Sequence, residues 1–187
     1  MKKEFLLCVA LKEELDSAKL PQNIQVIYTK VGKINATIAV MNEILLHRPK
    51  MIINFGSAGV VRGNIKGLCL IKDVMQRDMI TSPLAKRGET PFDSTPSILT
   101  SDIGKFRCAT GDNFVTSPDL WFGENDIDLV DMELFAIAKI GFEFGIPWRS
   151  AKYVTDKADE NAGSSWEESL ISASSRFYEH LDEITSV

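Results

Sequence analysis

Two carboxylates in the last third of the chain lie where an enzyme could use them. Asp131 is a good N-cap for a predicted helix, and Glu133 falls in its first turn, where the helix dipole favours negative charge. A buried strand, Arg149–Val154, follows that helix, and Asp156 comes directly after the strand. Open α/β sheets bind ligands at the carboxyl ends of their strands, so Glu133 and Asp156 are predicted to face one cleft.

Small residues follow another buried strand nearer the middle of the chain. Gly56-Ser57-Ala58-Gly59 comes directly after the apolar stretch Met51–Phe55. A loop of this kind lets a ligand approach the backbone N–H groups closely. Glycines after strands are more often simple turns, so either interpretation stays open for this run taken alone. The run is not a phosphate-binding P-loop, because no Gly-Lys-Ser/Thr sequence follows it.

Two further segments also follow predicted strands. Glu13 and Glu14 lie just past the apolar strand Phe5–Ala10, where they are either ligand-binding carboxylates or ordinary first-turn acids of a helix. Phe114 belongs to Thr110-Gly111-Asp112-Asn113-Phe114-Val115, which follows a predicted strand at Lys105–Ala109. An aromatic ring there either stacks on a flat ligand, for about 1–3 kcal/mol, or is a core residue, the commoner case.

Taken in order, these segments resemble the 5′-methylthioadenosine/S-adenosylhomocysteine nucleosidases of the nucleoside phosphorylase superfamily. The resemblance runs through nearly the whole chain. Its most specific parts are Val130-Asp131-Met132-Glu133, Phe144-Gly145-Ile146-Pro147 and Thr155-Asp156-Lys157-Ala158-Asp159. The chain is shorter than usual for that family, and the loss falls in Asp78–Phe106. That region helps to form the pocket for the 5′-substituent and the dimer contact in the family.

The resemblance implies two catalytic residues. Asp156 takes the place of the acid that protonates the leaving purine, and Glu14 takes the place of the glutamate that positions the attacking water. Asp156 then has to carry a proton, which requires a raised pKa, whereas Glu14 has to be ionised. This chemistry requires no metal and no cofactor. His47 and His180 are too isolated to be metal ligands.

The resemblance also implies a set of substrate-binding residues. Glu133 accepts hydrogen bonds from the ribose hydroxyls, Phe114 stacks on adenine, and the Val115 backbone binds the base edge. The further expected contacts are Met132, Ser57, Gly59, Val31 and Leu11.

The expected function is hydrolysis of a purine nucleoside, most of all 5′-methylthioadenosine or S-adenosylhomocysteine, to adenine and a 5′-thioribose for methionine salvage. Two alternatives stay open: a nucleoside phosphorylase of the same fold, and a nucleoside-binding protein without turnover. Glu13 and Glu14 favour water over phosphate as the nucleophile, because a carboxylate repels a dianion. The expected partners are the small-molecule substrate and a second copy of the chain in a homodimer.

Alternation of strands and helices predicts one α/β domain spanning residues 1–187. We expect a largely parallel, mixed central sheet flanked by helices, of the nucleoside phosphorylase type. One helix is predicted at Ile34–His47, the helix after Glu133 is predicted to stop at Gly145, before Pro147, and the last helix has a cap at Ser164 or Ser165. The region Asp78–Leu99 is predicted to be irregular. The apolar face of the Ile34–His47 helix is predicted to consist of Ile34, Ile38, Met41, Ile44 and Leu45.

Bulk composition excludes several classes of protein. The chain has 187 residues, of which 44% are hydrophobic and 25% charged, as in ordinary globular proteins. A net charge of −5 does not suggest a nucleic-acid partner, and no apolar run reaches the ~20 residues of a membrane span. Cys8, Cys69 and Cys108 have no paired spacing and are predicted to be reduced, buried thiols in a cytoplasmic protein.

Overall fold

The computed structural model describes residues 3–156 and 173–186. Eight strands within these ranges form one mixed sheet: β1 (Phe5–Val9), β2 (Ile24–Tyr28), β3 (Met51–Val60), β4 (Leu68–Gln76), β5 (Ile98–Thr100), β6 (Phe106–Thr110), β7 (Leu129–Asp131) and β8 (Trp148–Asp156). The described helical segments are α1 (Lys33–Leu46), α2 (Leu120–Glu124), α3 (Leu134–Phe144), α4 (173–179) and α5 (Leu181–Thr185). Two short 3-10 turns, Lys12–Glu14 and Ser17–Lys19, follow β1.

The strands pair in a largely parallel way, which confirms the predicted α/β fold class. β1 lies between β2 and β3 and runs parallel to both, while β8 runs parallel to β3 along most of its length. β8 also pairs with β4, β4 with β6, β6 with β7, and β7 with β3. These pairings close a ring of five strands, β3–β8–β4–β6–β7, which strand patterns in the sequence did not predict.

Helices cover the sheet and bury its apolar side chains in separate clusters. α1 and α3 pack on one cluster, which includes Val40, Ile52 and Ile137. Phe177 of α4 and Leu181 of α5 pack on another cluster, together with Phe55. No helix among the described residues is long and apolar enough to cross a membrane. The three cysteines are buried free thiols, as predicted.

Three predicted boundaries were wrong. Gly56-Ser57-Ala58-Gly59 is not a turn, because β3 continues through these residues to Val60 and pairs with β8 along them. Asp131 is not the N-cap of α3: it is the last residue of β7, and Glu133 occupies the cap position. Thr155 and Asp156 belong to β8 rather than to a loop after it.

The predicted apolar face of α1 was only partly correct. Ile44 is buried and Met41 packs against the core, as predicted, and the other buried residues of the helix are Ala36 and Val40. Ile34, Ile38 and Leu45 are instead 72%, 55% and 69% exposed. The helix carries apolar residues on two sides, so periodicity alone did not identify the side that faces the core.

The structure also tests several other predicted features. Gly145 ends α3 in the left-handed conformation, as predicted. The region Asp78–Leu99 was predicted to be irregular, and residues 78–97 contain no helix or strand, whereas Ile98 and Leu99 belong to the short strand β5. Neither β5 nor α2 was predicted. The predicted cap at Ser164 or Ser165 and the segment Lys157-Ala158-Asp159 lie outside the described residues.

Candidate active site

One cleft lies where the chain leaves the carboxyl ends of β1, β4, β6 and β7, beside the second half of β3. It has a volume of about 360 Å³. Nine of the ten predicted site residues line it, although they come from distant parts of the sequence. The full lining comprises Ala10, Leu11, Glu14, Val31, Ser57, Ala58, Gly59, Arg77, Asn113, Phe114, Val115, Val130, Asp131, Met132, Glu133 and Thr155.

Glu14 is a buried carboxylate with a fixed orientation. It ends the turn after β1 and is only 3% exposed. Its Oε1 accepts hydrogen bonds from the N–H and the hydroxyl of Ser57, both at 3.0 Å, and its Oε2 accepts one from the N–H of Leu11 at 3.0 Å. A carboxylate offers about four acceptor positions, so about one remains for a water or a ligand hydroxyl. Glu14 is therefore not an ordinary solvated first-turn acid.

Glu133 lies across the cleft from β1, at the start of α3. Its Oε1 accepts a hydrogen bond from the N–H of Gly32 at 2.9 Å. Gly32 has a φ of +95°, a conformation that favours glycine and that allows this N–H to reach the carboxylate. Burial and the charge of Asp131 raise the pKa of Glu133 to about 7, although Lys152 and the Gly32 N–H oppose that rise.

A buried ion pair lies behind Glu133. The Oδ2 of Asp131 is 2.7 Å from Nζ of Lys152, and the two side chains are 0% and 1% exposed. Asp131 also accepts hydrogen bonds from the Thr110 hydroxyl at 2.5 Å and the Leu134 N–H at 2.8 Å. Burial alone would raise the pKa of Asp131 and lower that of Lys152, but the charges and hydrogen bonds around each group, the partner's charge foremost, together outweigh burial in both cases. The pair therefore stays ionised and places a positive charge beside the site carboxylates.

The opposite end of the cleft carries an accessible aromatic ring. Phe114 is 68% exposed, so it is not the core aromatic of the alternative interpretation. Val115, the next residue, packs on an apolar cluster that includes Met75 and Phe122. Arg77 is 4% exposed and donates hydrogen bonds to the Gly111 carbonyl at 3.0 Å and to Oδ1 of Asn113 at 2.8 Å. The segment before Phe114 is therefore anchored while its ring stays open to a ligand.

Asp156 is the tenth predicted site residue. It is the last residue of β8 and lies opposite Gly59 of β3 in the parallel pairing. Its neighbour Thr155 lines the cleft, but the side chain of Asp156 is outside the described structure. Its role as the acid stays a prediction.

Sequence reasoning missed several polar residues of the cleft, above all Arg77, Asn113 and Asp131. Arg77 directly follows β4, and Asn113 lies three residues after β6. Polar residues that closely follow a strand were the available signal. It was not used for β4, and after β6 only Phe114 and Val115 were selected, not Asn113. Asp131 was missed because a predicted surface cap is in fact the buried end of β7.

The arrangement suits a ligand with a flat ring at one end and hydroxyls at the other. Two buried carboxylates, Glu14 and Glu133, can accept hydrogen bonds from hydroxyls or water. Their negative charge would also stabilise positive charge that develops on a sugar carbon. Among the described residues, no group of three or more potential metal-ligating side chains lies close enough together to hold a metal ion.

Comparison with known sequences gives a consistent set of relatives. Residues 19–186 match the sequence profile of the Phosphorylase superfamily. The 5′-methylthioadenosine/S-adenosylhomocysteine nucleosidase of Exiguobacterium sp. is 27% identical over 81% of this chain and 76% of its own length. The aminodeoxyfutalosine nucleosidase of Helicobacter pylori is 28% identical over 80% of this chain and 74% of its own length.

Solved structures give the same picture of the fold. A Helicobacter pylori MTAN mutant with 5′-methylthioadenosine in its active site superposes with a TM-score of 0.83 at 22% identity, covering 98% of this chain and 100% of that one. A putative 5′-methylthioadenosine/S-adenosylhomocysteine nucleosidase from Francisella philomiragia gives a TM-score of 0.85 at 17% identity, covering 99% and 100%. At such identities the likeness concerns the fold.

Proposed function

Because the chain belongs to the phosphorylase superfamily, we propose that it hydrolyses the N-glycosidic bond of purine nucleosides, 5′-methylthioadenosine and S-adenosylhomocysteine first among them. The relatives that bear nucleosidase names support this choice within the superfamily. The products are adenine and a 5′-thioribose, which methionine salvage can use. The observation that carries the proposal is the buried carboxylate of Glu14, held by Ser57 and Leu11 beside the cleft.

Glu14 favours water over phosphate as the nucleophile. The N–H and hydroxyl of Ser57 are donors that could hold an anion, yet both donate to Glu14. A phosphate bound there would face a carboxylate at close range, and two unit charges ~4 Å apart repel by about 4 kcal/mol at an effective dielectric constant near 20. Water carries no charge and can donate a hydrogen bond to the carboxylate. A nucleoside phosphorylase is therefore the less favoured alternative.

The proposed reaction assigns one task to each of three carboxyl groups. The water oxygen attacks the anomeric carbon and passes a proton to Glu14, while the bond from that carbon to the purine nitrogen breaks. Its electron pair goes to the purine, which takes a proton from Asp156. Glu133 accepts hydrogen bonds from the ribose hydroxyls and adds negative charge near the cationic sugar. Proton exchange with solvent then restores Asp156 and Glu14.

Adenine release in phosphate-free buffer tests the proposal. The wild-type protein should release adenine from 5′-methylthioadenosine, and added phosphate should change the rate little. Glu14→Gln should lower kcat by on the order of 10²-fold. Glu13→Gln is the matched control, because Glu13 is the exposed neighbour in the same turn. Release that requires phosphate and yields a sugar 1-phosphate would replace the hydrolase with a phosphorylase.

We further propose a cytoplasmic homodimer. Free, buried cysteine thiols are typical of a reducing compartment. Ile34, Ile38 and Leu45 form an exposed apolar stripe on α1, which suits burial against a second copy of the chain. Val31, just before α1, is 42% exposed and also lines the cleft, so a partner on this stripe would lie at the mouth of the site.

A further inference from the structure

We propose that Arg77 is the positioning residue that holds residues 111–115 in the shape that binds the purine base. The inference rests on the proposed function, because it concerns the same cleft and the same substrate. It assigns a task to a residue that the nucleosidase chemistry of Glu14 and Asp156 does not use. It also explains how an exposed aromatic ring can be part of a preformed site.

Arg77 holds the segment from both sides of Asp112. One guanidinium nitrogen, Nη2, donates to the carbonyls of Gly111 and Asn113, and Nη1 donates to Oδ1 of Asn113 at 2.8 Å. The forked shape of a guanidinium suits several acceptors at once, which a lysine cannot reproduce. These bonds end one residue before Phe114. They therefore fix the direction in which the chain presents the ring and the following backbone.

The fit between Arg77 and the segment is tight. A Cβ on Gly111 would lie 2.8 Å from Cζ of Arg77, closer than real Cβ contacts. Glycine at this position thus lets the guanidinium lie directly against the backbone. With Arg77 only 4% exposed, little water is available to compete for the carbonyls.

A second arginine holds Arg77 from behind. Arg87 donates from Nε to the Arg77 carbonyl at 2.7 Å and from Nη1 to Oδ2 of Asp119 at 2.6 Å. Its guanidinium also lies 4.5 Å from the centre of the Trp121 ring. Arg87 belongs to the irregular region 78–97, so this region is tied to the base end of the cleft through Arg77.

The segment needs such support because little packing holds Phe114. Phe114 is 68% exposed and follows no regular element directly. Another anchor lies at Asp112, whose N–H donates to Oδ2 of Asp78 at 2.8 Å. Loss of Arg77 would leave the part next to Phe114 to be ordered when the base binds, which weakens binding without changing Glu14.

The experiment compares Arg77→Gln and Arg77→Lys with the wild-type protein. Calorimetry measures the Kd for adenine and for a 5-thioribose product, and steady-state kinetics measure KM and kcat for 5′-methylthioadenosine. The control is Arg48→Gln, because Arg48 also donates to a backbone carbonyl, that of Phe144, but does not line the cleft.

We expect Arg77→Gln to raise the Kd for adenine and the KM about tenfold while kcat changes less than about threefold. Binding of the thioribose should not change, and Arg77→Lys should recover part of the loss. A merely structural arginine would lower the folded fraction and hence kcat, with adenine binding unchanged in the folded protein. That result would overturn the inference.

Asn113→Ala keeps the inference testable if the Arg77 variants do not fold. Asn113 is exposed, so its truncation should preserve folding, yet it removes one acceptor of Arg77. We expect a severalfold higher Kd for adenine, and an unchanged Kd would contradict the positioning role. A wild-type protein that binds no nucleoside and releases no adenine would instead refute the proposed function itself.

Discussion

Glu133 must meet two opposing demands. It has to be ionised to accept hydrogen bonds from ribose hydroxyls, yet it is buried beside Asp131, which raises its pKa to about 7. The Gly32 N–H and Lys152 partly offset this cost. The site thus places a carboxylate that is only partly ionised near neutral pH where the proposed substrate needs a charge.

We therefore expect kcat/KM for 5′-methylthioadenosine to fall as the pH drops below about 7, since protonated Glu133 loses its acceptor strength. The pH profile of kcat/KM reports ionisations of the free enzyme and is the measurement to make. A 2′-deoxynucleoside should show a smaller fall, because it offers fewer hydroxyls to Glu133. Equal profiles for the two sugars would separate Glu133 from ribose binding.

The same pKa predicts an effect on stability. Between its ordinary pKa of 4.5 and about 7, Glu133 binds more protons in the folded than in the unfolded state. Its contribution to stability is therefore fully present below 4.5 and is lost as the pH rises through about 7. Glu133→Gln cannot ionise, so it should be more stable than wild type at pH ~8, by roughly 1–3 kcal/mol.

Urea unfolding at several pH values measures this difference. It should shrink towards pH ~5, where wild-type Glu133 is protonated as well. Glu13→Gln serves as the control, because Glu13 is exposed and should show no such trend. A Glu133→Gln variant that is less stable than wild type at every pH would contradict this prediction. It would mean that Lys152 and the Gly32 N–H fully compensate the negative charge of Glu133.

The proposed role of Asp156 depends on its ability to donate a proton. Asp156→Asn keeps the size of the side chain but has no acidic proton to give to the purine. We expect kcat to fall by on the order of 10²-fold or more while nucleoside binding persists. Asp182→Asn, an exposed position on α5, is the control. Turnover near the wild-type rate in Asp156→Asn would remove this residue from the mechanism.

Among the secondary-structure elements, local signals predicted the C-terminal end of α3 better than its start or the end of β3. The stop of α3 at Gly145 was predictable because glycine, the left-handed conformation and Pro147 act within a few residues. The extension of β3 through Gly56–Gly59 was not, because it depends on pairing with β8, almost 100 residues later. Small residues predict a turn only when no partner strand supplies hydrogen bonds.

The ion pair of Asp131 and Lys152 also depends on contact between strands that are distant in the sequence, β7 and β8. Lys152 of β8 neutralises Asp131 at the end of β7, and neither side chain is accessible to water. Asp131 also stabilises the first turn of α3, because its carboxylate accepts a hydrogen bond from the Leu134 N–H. The sequence showed both residues but could not show that distant strands bring them together.

Breaking this pair should destabilise the protein strongly. Lys152→Met leaves Asp131 buried without its counter-charge, and we expect a loss of about 3–5 kcal/mol in the free energy of unfolding. The double variant Lys152→Met, Asp131→Asn should recover part of it, because Asn is neutral and still accepts hydrogen bonds. Urea unfolding measures both, and additive losses would contradict a direct coupling.

In the molecule as a whole, sheet topology explains why the predicted site residues lie together. Residues after β6 and β7 meet at one edge because these parallel strands share their carboxyl ends, whereas the residues after β1 reach the cleft beside β3, which pairs with β7 in the antiparallel direction. The same rule applied to β4 would have found Arg77. The sequence could not predict which polar side chains are buried. Glu14 looks like an exposed acid in the sequence, and only the structure shows that Ser57 donates hydrogen bonds to it.

The exposed apolar face of α1 can be tested as the contact of the proposed homodimer. Ile34 and Ile38 are 72% and 55% exposed, so changing them to glutamate should leave the core intact. The double variant Ile34→Glu, Ile38→Glu places like charges at the proposed contact and should shift a dimer to monomer. Leu120→Glu, at an apolar position of α2 that is 86% exposed, is the control and should leave the assembly unchanged.

Sedimentation equilibrium at micromolar concentration measures this shift. Because Val31 lies both at the cleft and beside the stripe, dissociation should also raise the KM for 5′-methylthioadenosine. A loss of dimer without a change in KM would mean that the partner covers α1 but not the mouth of the site. A wild-type protein that sediments only as a monomer would leave the apolar stripe without the proposed occupant and contradict the dimer.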